Sequence, residues 1–282
     1  MSGILYVVAT PIGNLEDITL RALRVLREVA VIAAEDTRRT ARLLQHYSIS
    51  TPTTSLHEHN ERARTPALID RLERGESIAL VSDAGTPVVS DPGVLLVAAA
   101  HAAGIRVEPV PGPSAALAAV SASGLMADEL LIVGFPPSRS TARKKWLEVL
   151  RREQRLVVFF EAPHRIRETL SDLQAIFGDR TVAIGRELTK AHEELVVKPI
   201  SIYLQSLGEP RGEFTVVVSP AAVDGEAPVV VPPADELWAQ FGEMTKLREG
   251  TRREIVKDLA EKYGITARDM YRLLESAKAC RL

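Results

Sequence analysis

Short apolar runs alternate, along the first 220 residues, with longer segments whose apolar positions recur at helical spacing. In the first half the apolar runs predict strands over 4–9, 30–34, 53–56, 77–82 and 106–110. The segment 19–29 places its leucines on one helical face, and 91–103 is apolar on most sides, as in a helix packed on a sheet. Alternating strands and helices predict an α/β fold built on parallel sheets.

A second set of the same elements follows residue 124. It predicts strands over 130–134, 156–160, 181–184 and 214–218, and helices over 140–153, 165–177 and about 199–207. We therefore expect two α/β domains, over residues 1–123 and 124–222.

The alternation stops after Pro220. Residues 223–234 are rich in proline, which is typical of a linker and unsuited to a central strand. Residues 235–282 are predicted to form a helical tail, in which Thr251 and Thr266 are placed to cap two helices, over 251–263 and 267–278, in the order of a helix-turn-helix. From residue 246 onward the tail has ten Lys and Arg against six Asp and Glu. A two-helix cap with solvated charges explains this balance better than nucleic-acid binding does.

Composition narrows the class of protein. Hydrophobic residues make up 46% of the 282 and charged residues 26%, the balance of a folded globular protein. The net charge of −2 gives no general attraction to nucleic acid, so any basic surface must be local. A single cysteine, Cys280, excludes an internal disulfide, and no apolar run reaches the roughly 18 residues of a membrane span. The first residues lack the features of a signal peptide, so we expect a cytoplasmic protein.

Polar loops follow several of the predicted strands. They are EDTR (35–38), DAGTP (83–87), PGPSA (111–115), EAPHR (161–165) and RELTK (186–190). One of them, within the stretch SDAGTPVVSDPG over 82–93, could equally be an ordinary turn. Five such loops at the carboxyl ends of strands predict the walls of a ligand cleft. The glycine patterns of dinucleotide-binding folds and of P-loops are absent, which argues against dehydrogenases and common NTPases.

Seven motifs, in their order and spacing, closely resemble the ribosomal small subunit methyltransferase I branch of the tetrapyrrole methylase superfamily. The resemblance covers about residues 4–220, and the tail is similar to that branch's C-terminal helix-turn-helix. The motifs are VATPIGNLEDIT, AEDTR, SDAGTPVVSDPG, VPGPSA, GFPP, EAPHR and RELTK.

The resemblance implies two α/β domains of the tetrapyrrole methylase type, with S-adenosyl-L-methionine (SAM) in the cleft between them, and a homodimer. It also implies 2′-O-methylation of a cytidine ribose in the decoding centre of 16S ribosomal RNA. The cofactor-binding positions that it implies are Pro11, Gly85, Thr86, Val89, Ser114, Ala115, Ala162 and Phe214. Porphyrinoid-modifying members usually carry Asp-Pro where this chain has Thr86-Pro87, a departure that argues against such a substrate.

A ribose hydroxyl becomes a good nucleophile only as its proton leaves, so the reaction calls for a proton acceptor. The candidates from the strand-end loops are Glu35, Asp36, Asp83, Glu187 and Lys190. A structural role is equally open to each of them; Asp36, for example, is placed to pair with Arg38 or to cap a helix.

Residues 139–155 carry seven Lys and Arg against two Glu. Most such runs are solvated helix faces. Next to an RNA methylase motif they predict phosphate contacts, and we select Arg143, Lys144 and Lys145, together with Arg38. His57 and His59 have no third ligand in a spacing that suits a metal, so we expect no metal site.

Two alternatives stay open at this point. The first is a methyltransferase for a tetrapyrrole or another small molecule on the same fold, and the second is an RNA-binding assembly factor without catalytic activity.

Overall fold

The computed structural model describes residues 2–88, 91–126, 128–221, 234–247, 251–263 and 265–279. The chain divides into two compact units, residues 1–221 and 222–282. The first unit contains two five-stranded sheets with helices, and the second unit is helical where it is described. The predicted α/β fold with a helical tail is confirmed.

The first sheet is entirely parallel, in the strand order β3-β2-β4-β1-β5. Its strands are β1 (Ile4–Val8), β2 (Val31–Ala34), β3 (Thr53–Ser55), β4 (Ile78–Val81) and β5 (Arg106–Val110). The helices of this half are α1 (Leu20–Glu28), α2 (Thr37–His46), α3 (Glu61–Glu73), α4 (Val94–Ala102) and α5 (Ala115–Ser123). Alternate strand residues face two cores, one under α1 and α2 and the other under α3 and α4. All five carboxyl ends therefore lie along one edge.

The second sheet is mixed, in the order β6-β7-β10-β8-β9, which corrects the expectation of a parallel sheet. Its strands are β6 (Leu130–Ile132), β7 (Leu156–Glu161), β8 (Thr181–Arg186), β9 (Glu194–Pro199) and β10 (Phe214–Val218). Its helices are α6 (Ser140–Leu150), α7 (Ile166–Phe177) and α8 (Ile200–Ser206). Only β6 and β7 pair in parallel. All nine predicted strands are present within two residues of their predicted ends, and β9 was not predicted.

The antiparallel placement of β10 brings three chain segments to one edge of the second sheet. Phe214, at the start of β10, pairs with Glu161 at the end of β7 and with Arg186 at the end of β8. The loops that follow β7 and β8 therefore meet the loop that precedes β10. The polar loops after the predicted strands indicate this edge already in the sequence. The antiparallel direction of β10 cannot be predicted from them.

Helix α5 belongs by sequence to the first half and packs against the second sheet. Ala116 and Ala119 are buried in a cluster with Val158, Ala183 and Val217 of β7, β8 and β10. Small side chains permit this close approach. The domain boundary near residue 124 stays a prediction, and the packing of α5 favours a boundary before this helix.

The tail contains three helices, α9 (Ala234–Leu247), α10 (Arg252–Lys262) and α11 (Ala267–Ala279), with their own apolar core. The sequence predicted the last two. Thr266 caps α11, since its Oγ1 accepts a hydrogen bond from the N–H of Asp269. Helix α9 begins at the end of the predicted linker and lies in the part of the predicted helical tail for which no individual helix was assigned. None of the helices in the described parts of the chain has the length and apolar character that crossing a membrane requires.

A buried carboxylate fixes the start of α4. Oε1 of Glu61, on α3, accepts hydrogen bonds from the backbone N–H groups of Gly93 (3.0 Å), Leu95 (2.7 Å) and Leu96 (3.3 Å). Helix α4 has no side-chain cap of its own, because Gly93 precedes it. An anion at this position satisfies free donors and compensates the positive end of the helix. Glu61 thereby anchors the loop that leads from β4 to α4.

We predict that Glu61→Gln lowers the free energy of unfolding by about 1–3 kcal/mol, because a neutral amide is a weaker acceptor for these three donors. Chemical denaturation measures the change. Glu73→Gln is the matched control, since Glu73 lies on the same helix and is exposed; it should stay within about 0.5 kcal/mol of the original chain. Equal stabilities of the two variants would contradict the capping role.

Candidate functional site

A cavity of about 870 Å³ lies between the carboxyl edge of the first sheet and the edge of the second sheet where β7, β8 and β10 meet. This volume falls within the roughly 300–1,000 Å³ of small-molecule sites. The loops after β2, β4 and β5 and the first turn of α5 line one side, and segments 160–163 and 213–215 line the other.

The loop after β4 is held against the loop after β1. Thr10 and Gly85 exchange two backbone hydrogen bonds, of 2.8 and 3.0 Å between N and O. Gly85 has a φ of +82°, and a Cβ there would lie 3.4 Å from Cγ2 of Ile12. The hydroxyl of Thr86 donates to the carbonyl of Pro113 (3.2 Å), which ties this loop to the start of α5. The result is a backbone-lined wall that a side chain at Gly85 would strain.

Helix α5 presents its N-terminus to the cavity. Ser114 caps the helix, with its hydroxyl accepting from the N–H of Leu117 (3.5 Å). The first residues of the helix, Ala115 and Ala116, line the cavity with Ser114. Free N–H groups and the helix dipole favour an anionic or carbonyl oxygen at this end.

The carboxylates of Glu35 and Asp83, which line the cavity, connect the ends of β2 and β4. Glu35 Oε2 accepts from the N–H of Asp83 (3.1 Å), and Asp83 Oδ1 accepts from the N–H of Asp36 (2.9 Å). Arg39 lies beside them, with its Nε 3.5 Å from Asp83 Oδ2. The ends of β2 and β4 are therefore locked together, and both carboxylates stay in the cavity wall.

A third carboxyl group, that of Asp91, also lines the cavity. Burial, followed by the charge of Glu35, raises the pKa of Asp91 to about 6. This residue lies within SDPG, and no acidic residue of that segment was selected from the sequence. Crowding of acids in one cavity was not visible from the sequence, because these residues come from two separate strands.

Three of the predicted catalytic residues lie outside the cavity lining and have structural roles. Asp36 caps α2 and pairs with Arg38, whose hydrogen bond lowers the pKa of Asp36 to about 2. Glu187 and Lys190 form an ion pair of 2.8 Å. Partial burial raises the pKa of Glu187, but the hydrogen bond from Lys190 and one from the N–H of Glu213 outweigh it and lower the pKa below its usual value. These contacts hold the loop after β8 in place.

The loop after β8 meets the loop after β1 directly. The hydroxyl of Thr189 accepts from the N–H of Asn14 (3.0 Å). A Cβ on Gly13 would lie 2.9 Å from the carbonyl oxygen of Leu188 and 2.5 Å from Cγ of Lys190. Only glycine permits this approach, which joins the two sheets beside the cavity.

On the second sheet, the motif EAPHR is organised by a buried acid. The side chain of Glu161 accepts from the hydroxyl of Thr169 (2.6 Å) and from the N–H of Ala162 (2.8 Å), and lies 3.1 Å from Nε of Arg165. Arg165 also donates to the carbonyl of Pro136 (2.5 Å). The segment that contains Ala162 is thereby fixed at the cavity wall.

Six of the eight predicted cofactor positions line the cavity: Gly85, Thr86, Ser114, Ala115, Ala162 and Phe214. Pro11 does not, and its neighbour Ile12 does. Val89 lies outside the described residues. Phe135, of the GFPP motif, lines the cavity as well and was not selected from the sequence.

Arg143 does not lie on the predicted RNA-binding surface. Its side chain is 2% exposed and forms ion pairs with Asp172 (2.8 Å) and Glu168 (3.4 Å), and its Nη1 donates to the carbonyl of Ser138 (3.5 Å). The guanidinium is therefore not available to a phosphate, which corrects the prediction for this residue. A charge count along the sequence cannot separate the inner face of α6 from its outer face.

The other three predicted RNA contacts are exposed. Lys144 and Lys145 lie on α6, where Nζ of Lys144 is 3.5 Å from Oδ1 of Asp172, and Arg38 lies at the start of α2. Within the described ranges, no group of three His, Cys, Asp or Glu side chains is arranged to hold a metal ion.

Curated relatives match most of the chain. A "Ribosomal RNA small subunit methyltransferase I" of Synechocystis sp. is 43% identical over 275 residues, 96% of this chain and 97% of that protein. The protein of the same name from Pseudomonas aeruginosa is 49% identical over 223 residues, 77% of this chain and 79% of that protein.

Solved structures share the fold at lower identity. The methyltransferase CobJ superposes with a TM-score of 0.60 at 20% identity, covering 80% of this chain and 98% of that chain. A uroporphyrin-III C-methyltransferase from Thermus thermophilus, complexed with S-adenosyl homocysteine, gives 0.56 at 19% identity, covering 77% and 97%. The family model for Tetrapyrrole (Corrin/Porphyrin) Methylases matches residues 4–202, and this chain belongs to that family.

Proposed function

We propose that this chain is a SAM-dependent methyltransferase that methylates the 2′-oxygen of a cytidine ribose in the decoding centre of 16S ribosomal RNA. The observation that carries the proposal is the identity of 43% over nearly the full length with a relative named for methylating small-subunit ribosomal RNA. The cavity supports it, because it combines a backbone-lined wall, a helix N-terminus and two braced carboxylates.

The residues of the cavity fit SAM. The loop at Gly85 brings bare backbone to the cavity wall, where a Cβ would be strained. The N-terminus of α5, at Ser114 and Ala115, suits the carboxylate of the amino-acid part. Phe214 and Ala162 provide apolar surface on the opposite wall. Bound there, SAM would supply the methyl group of its sulfonium, and the rest of the molecule would leave as a neutral thioether.

The chain's own contribution is to orient the ribose and to accept its proton. Glu35 and Asp83 are the candidates that the cavity brings together, and each is fixed by a backbone hydrogen bond. As the 2′-oxygen of the ribose forms its bond to the methyl carbon, the proton of the hydroxyl passes to one carboxylate of this pair. Holding the hydroxyl and the methyl donor in line is the larger part of the task, because positioning alone can lower such a barrier by several kcal/mol (roughly 7–11 at best).

Exposed basic side chains on α2 and α6 suit the RNA backbone. Arg38 and Arg39 lie in the first turn of α2, and Arg39 lines the cavity. Lys144 and Lys145 are exposed on α6, which follows the GFPP loop of the second sheet. We propose phosphate contacts at Arg38, Lys144 and Lys145.

The homodimer and the cytoplasmic location belong to the same proposal. The homodimer is supported by the resemblance of the seven motifs to a dimeric family and by the frequency of two-fold symmetric pairs among oligomers. A substrate within the ribosome supports a cytoplasmic location.

The deciding experiment incubates the purified protein with methyl-labelled SAM and small ribosomal subunits that lack this methyl group. Parallel reactions contain free 16S RNA or a porphyrinoid precursor. We expect label on the 2′-oxygen of a decoding-centre cytidine, mapped by nuclease digestion and mass spectrometry. Label on the porphyrinoid alone would establish the small-molecule alternative, and SAM binding without transfer to any substrate would favour the assembly factor.

The carboxylate pair gives a second prediction. Glu35→Gln and Asp83→Asn should each lower kcat for methyl transfer by about 10²- to 10⁴-fold, since neither amide accepts a proton. Calorimetry with SAM, run in parallel, separates impaired chemistry from impaired cofactor binding. Asp36→Asn is the matched control, because asparagine caps a helix as well as aspartate does; its kcat should stay near that of the original chain. A slow Asp36→Asn variant with fast Glu35 and Asp83 variants would reverse the assignment.

Arg143 and its neighbours on α6 give a third prediction. Lys144→Ala/Lys145→Ala should reduce the salt dependence of RNA binding, by roughly 0.7–0.9 in the log–log slope for each phosphate that is no longer neutralised. Arg143→Ala should leave the slope unchanged and lower the free energy of unfolding by about 3–5 kcal/mol, because it removes the closest cation from the largely buried Asp172. Filter binding across salt concentrations and chemical denaturation distinguish the two. An unchanged slope in the lysine variant would remove α6 from the RNA-binding surface.

A further inference from the structure

Phe135 is an exposed aromatic residue in the wall of the cavity. It follows Gly134 in the loop after β6, and 59% of its surface is accessible. Its ring lies 5.5 Å from that of Phe160, between centroids, at an interplanar angle of 48°. The less exposed ring of Phe160 thus packs against the ring of Phe135 and supports it.

Exposure of a single phenylalanine means little, because folded proteins expose many apolar side chains. The backbone around Phe135, however, is fixed on both sides. The carbonyl of Gly134 accepts from the N–H of Phe160 (2.9 Å), and the carbonyl of Pro136 accepts from Arg165 (2.5 Å). The buried Arg143 donates to the carbonyl of Ser138 (3.5 Å) further along the same loop. The loop that carries Phe135 is therefore held in place, and the exposure of the ring is a property of an ordered loop.

A second apolar side chain contributes to the same rim. Leu117, in the first turn of α5, lines the cavity and is also exposed. Elsewhere in the cavity wall stand the carboxylates Glu35 and Asp83, with Arg39. The cavity therefore combines an apolar rim with a charged wall.

The chemical groups of a nucleotide match this division of the cavity into an apolar rim and a charged wall. Its base has two apolar faces, its ribose carries the hydroxyl whose proton a carboxylate would accept, and its phosphates are anionic. Proteins that read single nucleotides of RNA commonly stack an unpaired base on an aromatic side chain. The interior of the cavity, lined by the buried residues Phe214 and Ala116, is a better place for the cofactor than the exposed ring at the rim.

We propose that Phe135 is the platform on which the base of the target nucleotide stacks while its ribose enters the cavity. The residue then positions the substrate and takes no part in proton transfer. This inference rests on the proposed function, since it requires an RNA substrate.

The test compares Phe135→Ala, Phe135→Leu and Phe135→Tyr with the original chain on unmethylated small ribosomal subunits, in steady-state methyl transfer from labelled SAM. Phe135→Ala and Phe135→Leu should lower kcat/KM by roughly 5- to 150-fold, the range expected when one stacking interaction is removed. Phe135→Tyr should remain within about threefold, because it keeps the aromatic face. Calorimetric affinity for SAM should be the same in all four proteins.

Phe135→Leu retains apolar volume without an aromatic face, so it separates stacking from simple packing. Full activity of this variant would overturn the proposal, and so would a loss of SAM affinity that parallels the loss of activity, since the ring would then serve the cofactor. If Phe135→Ala does not fold, the comparison of Phe135→Leu with Phe135→Tyr still decides whether the aromatic face is required. Absence of transfer by the original chain would instead refute the proposed function.

Discussion

The close contact between the loop after β1 and the loop after β8 is the constraint on which the site depends. Gly13 lies so near the backbone at Leu188 that a Cβ would be 2.9 Å from its carbonyl oxygen, and Asn14 donates to Thr189 next to it. This contact joins the two sheets at the edges where their strands end. Because the polar loops of both sheets lie at these edges, joining the sheets there turns two sets of strand ends into one cavity.

Many charged residues near the cavity hold its walls and are not free to react. Glu61 caps α4, Glu161 orders the loop after β7, and the pair of Glu187 and Lys190 fixes the loop after β8. Glu61 and Glu161 are buried, where a charge is costly unless it is hydrogen-bonded, and each of them accepts from several donors. Glu35 and Asp83 combine both roles, since each accepts a backbone hydrogen bond and still lines the cavity.

The strands and the cofactor loops could be predicted because both are local features of the sequence. Apolar runs located nine strands, and the family resemblance carried by the strand-end motifs implied six of the cavity positions. Three results depend on long-range packing and could not be predicted in this way. The reversal of β10 is a matter of topology, and the burial of Arg143 depends on how α6 packs against Asp172. The pKa of Asp91 is raised by its burial and then by the charge of Glu35, which comes from a separate part of the chain.

A crystal structure of the chain grown with SAM tests most directly whether the cavity between the two sheets binds SAM. We expect one SAM molecule per chain within this cavity, in contact with Gly85, Ala115 and Phe214. SAM bound at any other place, or an empty cavity at saturating SAM, would contradict the assignment of this cavity as the cofactor site.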